Sequence, residues 1–241
     1  MQTTSLITPS FNRSHFFSSL KFGFLPLYSA IVLSLIIDQS LNQKIESILR
    51  SPTGFSHSVW VWGGLSLISS LVFPTLFTLS SCFFITEKIK GLTYSQLPGF
   101  YKQHFEMTLL ENIRAWAHMF LWFFALIIPS IYKFVTYTLT PFLVIYSPAY
   151  ARGEINAVKT SEKIAKEFFI KLFLLLLGFY IILPFTSTLI FDQYKLFRHF
   201  PLQALTLAGL DTVLIFTIHF FILNLFFKSS YFKGDHHGTN V

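Results

Sequence analysis

The sequence predicts an all-α, polytopic integral membrane protein of six transmembrane helices and two amphipathic helices lying in the membrane interface. Three observations carry this. Six stretches are apolar enough, and nearly long enough, to cross a bilayer. The chain is 53% hydrophobic and only 12% charged, where soluble domains carry about 25% charge. Its Lys and Arg residues also fall almost entirely on alternate connections. Those connections are too short to hold a soluble unit, so residues 1–241 form a single membrane domain. Phe supplies 31 residues; beside the abundance of Ile, Lys and Asn this reads as the bias of an AT-rich genome and carries no functional weight.

The first span is expected over 16–37. The apolar run from Phe22 to Ile37 is extended backwards by Phe16 and Phe17, with Lys21 snorkelling. No small-x-small cleavage site follows before Asp38, so the segment reads as an uncleaved anchor rather than a signal peptide. The second span is 59–86, with a kink expected at Pro74. Over 92–114 the apolar residues Leu97, Phe100, Tyr101, Phe105, Leu109 and Ile113 recur at spacings of mostly three and four, with Lys102, His104, Glu106 and Glu111 between them. That pattern predicts an interfacial helix. A second, 154–167, sets Ile155, Val158, Ser161, Ile164 and Ala165 against Lys159, Glu162, Lys163 and Lys166. The fifth span is 168–191, with a kink permitted at Pro184, and the sixth is 201–227; the polar tail 228–241 is expected to be disordered.

Between these lies Ala115–Ala149, where Lys133 is the only fully charged side chain and Pro129, Pro141 and Pro148 interrupt. Charge distribution decides its reading. As a tight hairpin of two spans, 115–131 and 134–149, it leaves thirteen Lys/Arg on one side and five, Lys133 among them, on the other. As a single pass it erases the asymmetry. Six spans with both termini cytoplasmic, in the inner (plasma) membrane, therefore follow from the positive-inside rule. The net charge of +7 is dispersed beside apolar spans, so it suits anionic lipid head groups on the cytoplasmic side and no nucleic acid is expected as a partner.

The stretch FALIIPSIYKFVTYTLTPFLVIYSPAYARGEINAVKTSEKIAKEFFIKLFLLLL, from Phe124, resembles the signature region of the bacterial superfamily that contains the membrane domain of glycerophosphoryl diester phosphodiesterases and many stand-alone integral membrane proteins. Ile128, Pro129, Ile131 and Tyr132 match its turn, Pro148 its span exit, and Ala157, Val158 and Ser161 its short helix. Ser130 stands where Gly is usual, and Glu167 near a common Lys-Gly pair. The likeness covers about 116–190 and implies a six-helix membrane fold. It implies no phosphodiesterase activity, because that chemistry belongs to a separate soluble barrel for which this chain has neither the length nor the residues.

Direct search for chemistry finds no HExxH, no Gly-x-Ser-x-Gly and no Gly-rich phosphate loop. No catalytic residue, cofactor or metal is therefore assigned, and the protein is expected not to be an enzyme. Asp235, His236 and His237 sit in a tail that offers no fixed ligand geometry. The lone Cys82 excludes an intramolecular disulfide.

Polar groups inside spans remain, since each costs free energy unless paired. They are Asp211, His219 and Asn224 in the last span and His118 in the third. Asp211 and His219 share a helix face about 12 Å apart. They serve either as a relay facing a cavity or as polar packing between helices. Ala157 and Ser161 either let their helix dock closely or line its membrane-facing stripe. Three functions are compatible with this inventory. The foremost is a non-enzymatic scaffold, regulatory or envelope-associated protein with a membrane-protein partner. The second is a transporter or lipid permease using Asp211 and His219, and the third a head-group enzyme built from His104, Glu106, Glu111 and Arg114.

Overall fold

Asn12 opens the first helix, α1 (Arg13–Leu49), by accepting the His15 N–H on its side chain at 2.8 Å, which satisfies one of the free donors of a helix start. The computed structural model describes residues 11–50, 57–86, 94–191, 194, 196, 197 and 199–234. At 37 residues α1 is about 55 Å long, well beyond a hydrocarbon core of about 30 Å. The second helix, α2 (His57–Thr86), runs back along it. At the far end of the pair Asp38 accepts from Ser69 at 2.7 Å, and at the other end Tyr94 donates to the Phe22 carbonyl at 2.7 Å. Gly23 allows the close approach there, because a Cβ at that position would stand 2.9 Å from Phe84 Cβ. α2 stays helical through Pro74, and its hydroxyls bond back to their own helix, as Thr75 does to the Leu71 carbonyl.

A turn at Tyr94–Gln96 leads into α3 (Leu97–Ala125). This one helix corrects two expectations: the interfacial helix 92–114 is not separate, and the span 115–131 does not begin at 115. After Gly99 no Gly or Pro interrupts it, so nothing stops the helix at Arg114. It stops at Leu126, which is extended (φ −161°, ψ 139°). The chain then reverses into α4 (Ile127–Tyr137) and α5 (Thr140–Tyr146). Pro129 explains the position: Pro is tolerated in the first turn of a helix but not in the interior of one continuing from α3. The reversal therefore lies several residues before the 131–134 turn expected from sequence. Across it Ser130 donates to the Met119 carbonyl at 3.4 Å, and the His118 and Tyr137 rings stand 6.4 Å apart.

α6 (Pro148–Ala151) ends at a turn in which Gly153 adopts φ +74°, the left-handed region that favours glycine. Asn156 then caps α7 (Ala157–Glu167) by accepting the Lys159 N–H at 3.0 Å. The stripe Ala157, Val158, Ser161, Ile164 and Ala165 is buried against α4 and α5 rather than lying on lipid. Ser161 donates to the Thr136 carbonyl at 2.6 Å, and Lys133 pairs with Glu162 at 2.8 Å. Lys133 thus belongs with α7, not on the opposite side of the protein where the hairpin reading had placed it.

Phe168 breaks the helix (φ −125°, ψ 19°) before α8 (Phe169–Leu176), which passes through a π-helical stretch, Leu177–Ile182, into α9 (Leu183–Phe191). Most of Leu183–Phe191 is exposed. α10 (Pro201–Phe227) has the expected bounds. The tail differs from expectation: α11 (Ser230–Gly234) is helical and Phe232 packs on Phe226 and Phe227 with ring centroids 4.8 and 5.4 Å apart. Residues 235–241 lie outside the described residues, as do the metal-like His236 and His237.

Among the described residues the protein is all-helical, and five stretches are long and apolar enough to cross a membrane: Arg13–Leu49, His57–Thr86, Ile127–Tyr146, Phe169–Phe191 and Pro201–Phe227. Both ends of the described chain meet at one end of the bundle, here called the base, where Phe11 packs on Phe220 at 5.2 Å and Ser230 donates its N–H to Glu167 at 3.0 Å. At the opposite end Gln39 accepts the Phe197 N–H at 3.1 Å.

Candidate functional site

Pro74 and the hydroxyl-rich turns after it face α10, and there the best-defined polar node forms. Thr78 donates its hydroxyl proton to the Pro74 carbonyl at 2.9 Å, so toward His219 Nε2, 3.3 Å away, it can only accept. His219 Nε2 therefore carries a ring proton, and Nδ1 stands 3.0 Å from the Ser81 hydroxyl. Both ring nitrogens have a hydrogen-bond partner in this arrangement. Phe142 packs edge-on against the ring at 6.2 Å.

The node forms one wall of a cavity of about 230 Å³ between α2, α3, α4, α5, the end of α8, the π stretch and α10. Its walls are mainly apolar: Ala115, Phe142, Leu176 and Ile222 among others. Trp116 and Tyr180 line it and are 45% and 50% exposed, so they form a rim that opens on the side of the bundle, nearer the base ends of α2 and α10 than their far ends. The polar groups on its walls are mostly used within the protein. Besides His219 and Thr78, Asn112 donates to Thr75 at 3.1 Å and Thr138 to the Phe134 carbonyl at 2.9 Å. No Asp, Glu, Lys or Arg lines it.

The four intramembrane polar candidates do not come together. His219 alone reaches the cavity. Asp211 lies two turns along α10 and only half-buried, His118 is exposed on α3, and Asn224 has its side-chain oxygen buried without a hydrogen-bond partner. A relay between Asp211 and His219 therefore has no geometric support. The head-group enzyme set also fails to converge. His104 lines a separate cleft of about 600 Å³ beside α5 and α6, Glu111 turns to Arg114 and Tyr150 (2.6 and 3.3 Å), and Glu106 is exposed. Among the described residues no three His, Cys, Asp or Glu side chains are grouped to hold a metal.

The motif residues have structural places. Pro129 lies in the first turn of α4, Tyr132 packs on Phe169 at 5.3 Å, Pro148 starts α6, and Ala157 and Ser161 dock α7. Sequence reasoning missed Thr78, Asn112, Trp116, Met119, Tyr137 and Tyr180 as cavity residues. The available signals were Pro74 followed by the hydroxyl-rich run Thr75–Ser81, and Asn112 inside an otherwise apolar helix face. No protein-family model, curated protein or solved structure matches this chain, so the resemblance rests on the quoted motif residues alone.

Proposed function

We propose that this is a non-enzymatic, multi-pass membrane protein that holds the hydrocarbon chain of a lipid in its sideways-opening cavity. The observation that carries the reading is the cavity itself: about 230 Å³, mainly apolar, without lining Asp, Glu, Lys or Arg, and open through Trp116 and Tyr180 on the side of the bundle. A void of 150 Å³ lined by apolar side chains already takes benzene, so this one has room for a longer hydrocarbon segment. The internally bonded His219 node and the absence of lining Lys or Arg favour a chain over an anionic head group, whose recognition calls for Arg or Lys. Transport driven through Asp211 loses support because that carboxyl is remote from the cavity.

The topology proposed with it places both termini in the cytoplasm of a plasma membrane. The base carries most of the Lys and Arg residues, and the two ends of the described chain meet there. Lipids with anionic head groups on that side are the expected surroundings. The scaffold reading keeps one observation of its own, the span Phe169–Phe191, most of which is exposed beyond the π stretch and which leaves a face for a membrane-protein partner.

Native mass spectrometry of gently extracted protein tests the lipid reading. One retained lipid per chain, lost on filling the cavity with Ala115→Leu while the melting temperature holds, is the expected result. A bare protein, or a lipid retained equally by Ala115→Leu, overturns it.

A further inference from the structure

Along the α2–α3 seam, Tyr101 meets Ser80 at 2.6 Å and Asn112 meets Thr75 at 3.1 Å. Eleven residues of α3 therefore advance past only five of α2. The contacts are spaced more widely along α3 than along α2, so α3 crosses α2 obliquely rather than running alongside it.

The return arm carries the topology. Ile127–Tyr146 meets the length and apolarity of a span, yet only its first six residues lie beyond its ties to the base. Lys133 pairs with Glu162, five residues before the Glu167 that holds Ser230, so the reversal at Leu126 stands at most about 10 Å of helix beyond that tie. At the other end Ser147 meets Tyr231 at 2.7 Å. A segment tied to the base at Lys133 and at Ser147, with about 10 Å of helix beyond, does not reach the far side.

We infer that α3 and α4 form a re-entrant hairpin that dips into the leaflet on the base side and leaves through the same side. Its occupant is the hydrocarbon of that one leaflet. The tip is built for it: Phe124 is 84% exposed and Ile128 81%, with Leu121, Leu126 and Ile127 exposed beside them. The neck carries Arg114 and Lys166, 53% and 58% exposed, which suit lipid phosphates, while Lys133 is held by Glu162. Full crossings are then α1, α2, α8 with α9, and α10. Lys133 joins the base, and the Lys/Arg asymmetry widens to fourteen against four. The inference rests on the helices being membrane spans and is independent of whether the cavity holds a lipid.

Single cysteines in the full-length protein test it, with the buried Cys82 as background. Lys44→Cys marks the far side and Lys166→Cys the base side. Phe124→Cys and Ile128→Cys should resist a membrane-impermeant maleimide from both sides of sealed membranes and label after detergent solubilisation. Lys133→Cys should label only from the side that labels Lys166→Cys. Labelling of either tip position from the Lys44→Cys side overturns the inference, as does a tip that stays unlabelled in detergent, which would mean protein rather than lipid covers it.

Discussion

Replacing Glu162 by Gln removes the negative partner of Lys133 while keeping the volume of the side chain. The pair is 2.8 Å long, with side chains only 16% and 24% exposed, and Lys166 stands 3.6 Å from the other carboxylate oxygen. Lys133 is also ringed by Tyr137, Tyr132 and Trp122, whose centroids lie 5.3, 5.7 and 6.0 Å from its Nζ. A hydrogen bond to a charged group is worth about 1.5–3 kcal/mol. Residual solvent contact, and the amide oxygen of Gln still accepting from Lys133, reduce the expected loss to about 1–2 kcal/mol. The hydrogen bond from Lys133, more than any other cause, holds the Glu162 carboxyl below its usual range. The direction of the pH effect follows. A lowered folded-state pKa contributes stability that is fully present above the ordinary Glu value of about 4.3. That contribution shrinks as pH falls below this value and is lost as pH passes through the lowered one. Thermal melts of wild type and Glu162→Gln in one detergent, from pH 7 downward, should show a constant gap near neutrality that closes on acidification. Equal stability at pH 7, or a gap that widens in acid, would refute the reasoning.

Gly23→Ala should be less favourable than Gly63→Ala. A Cβ at Gly23 meets Phe84 and Phe216 atoms at 2.9–3.1 Å, whereas one at Gly63 meets nothing within 4 Å; overpacking costs about 1–3 kcal/mol, and denaturant melts that rank the two variants equally would contradict the close α1–α2 approach. A double-mutant cycle of Ser81→Ala with His219→Leu should give a coupling of about 0.6–1.7 kcal/mol, the range of interhelical hydrogen bonds in membranes; zero coupling would remove the Ser81–His219 bond from the reading. Ser161→Val should destabilise by about 1–3 kcal/mol, since a fully buried hydroxyl donating at 2.6 Å is lost and a methyl must fit between α7 and α4; retention of the wild-type melting temperature would show that α7 is not docked by this contact.

The sequence by itself determined the all-helical class, the presence of helices long and apolar enough to cross a membrane, and the approximate bounds of α2 and α10, because these follow from local composition and length. It also determined that Ala157 and Ser161 share an apolar stripe. Which surface that stripe meets was left open, since periodicity records that a face is apolar but not whether lipid or protein covers it. Tertiary structure decided that α4 and α5 cover it. It also decided the hairpin. Charge counting put Lys133 opposite Glu162 because it set the turn at 131–134, whereas the chain reverses at Leu126 and Lys133 pairs with Glu162; a hydropathy pattern does not record such a tertiary contact. The same holds for the site. His219, Thr78 and Ser81 lie on helices far apart in sequence, and only the packing of α10 on α2 brings them together, while Asp211, equally conspicuous in the sequence, is left two turns away from the cavity.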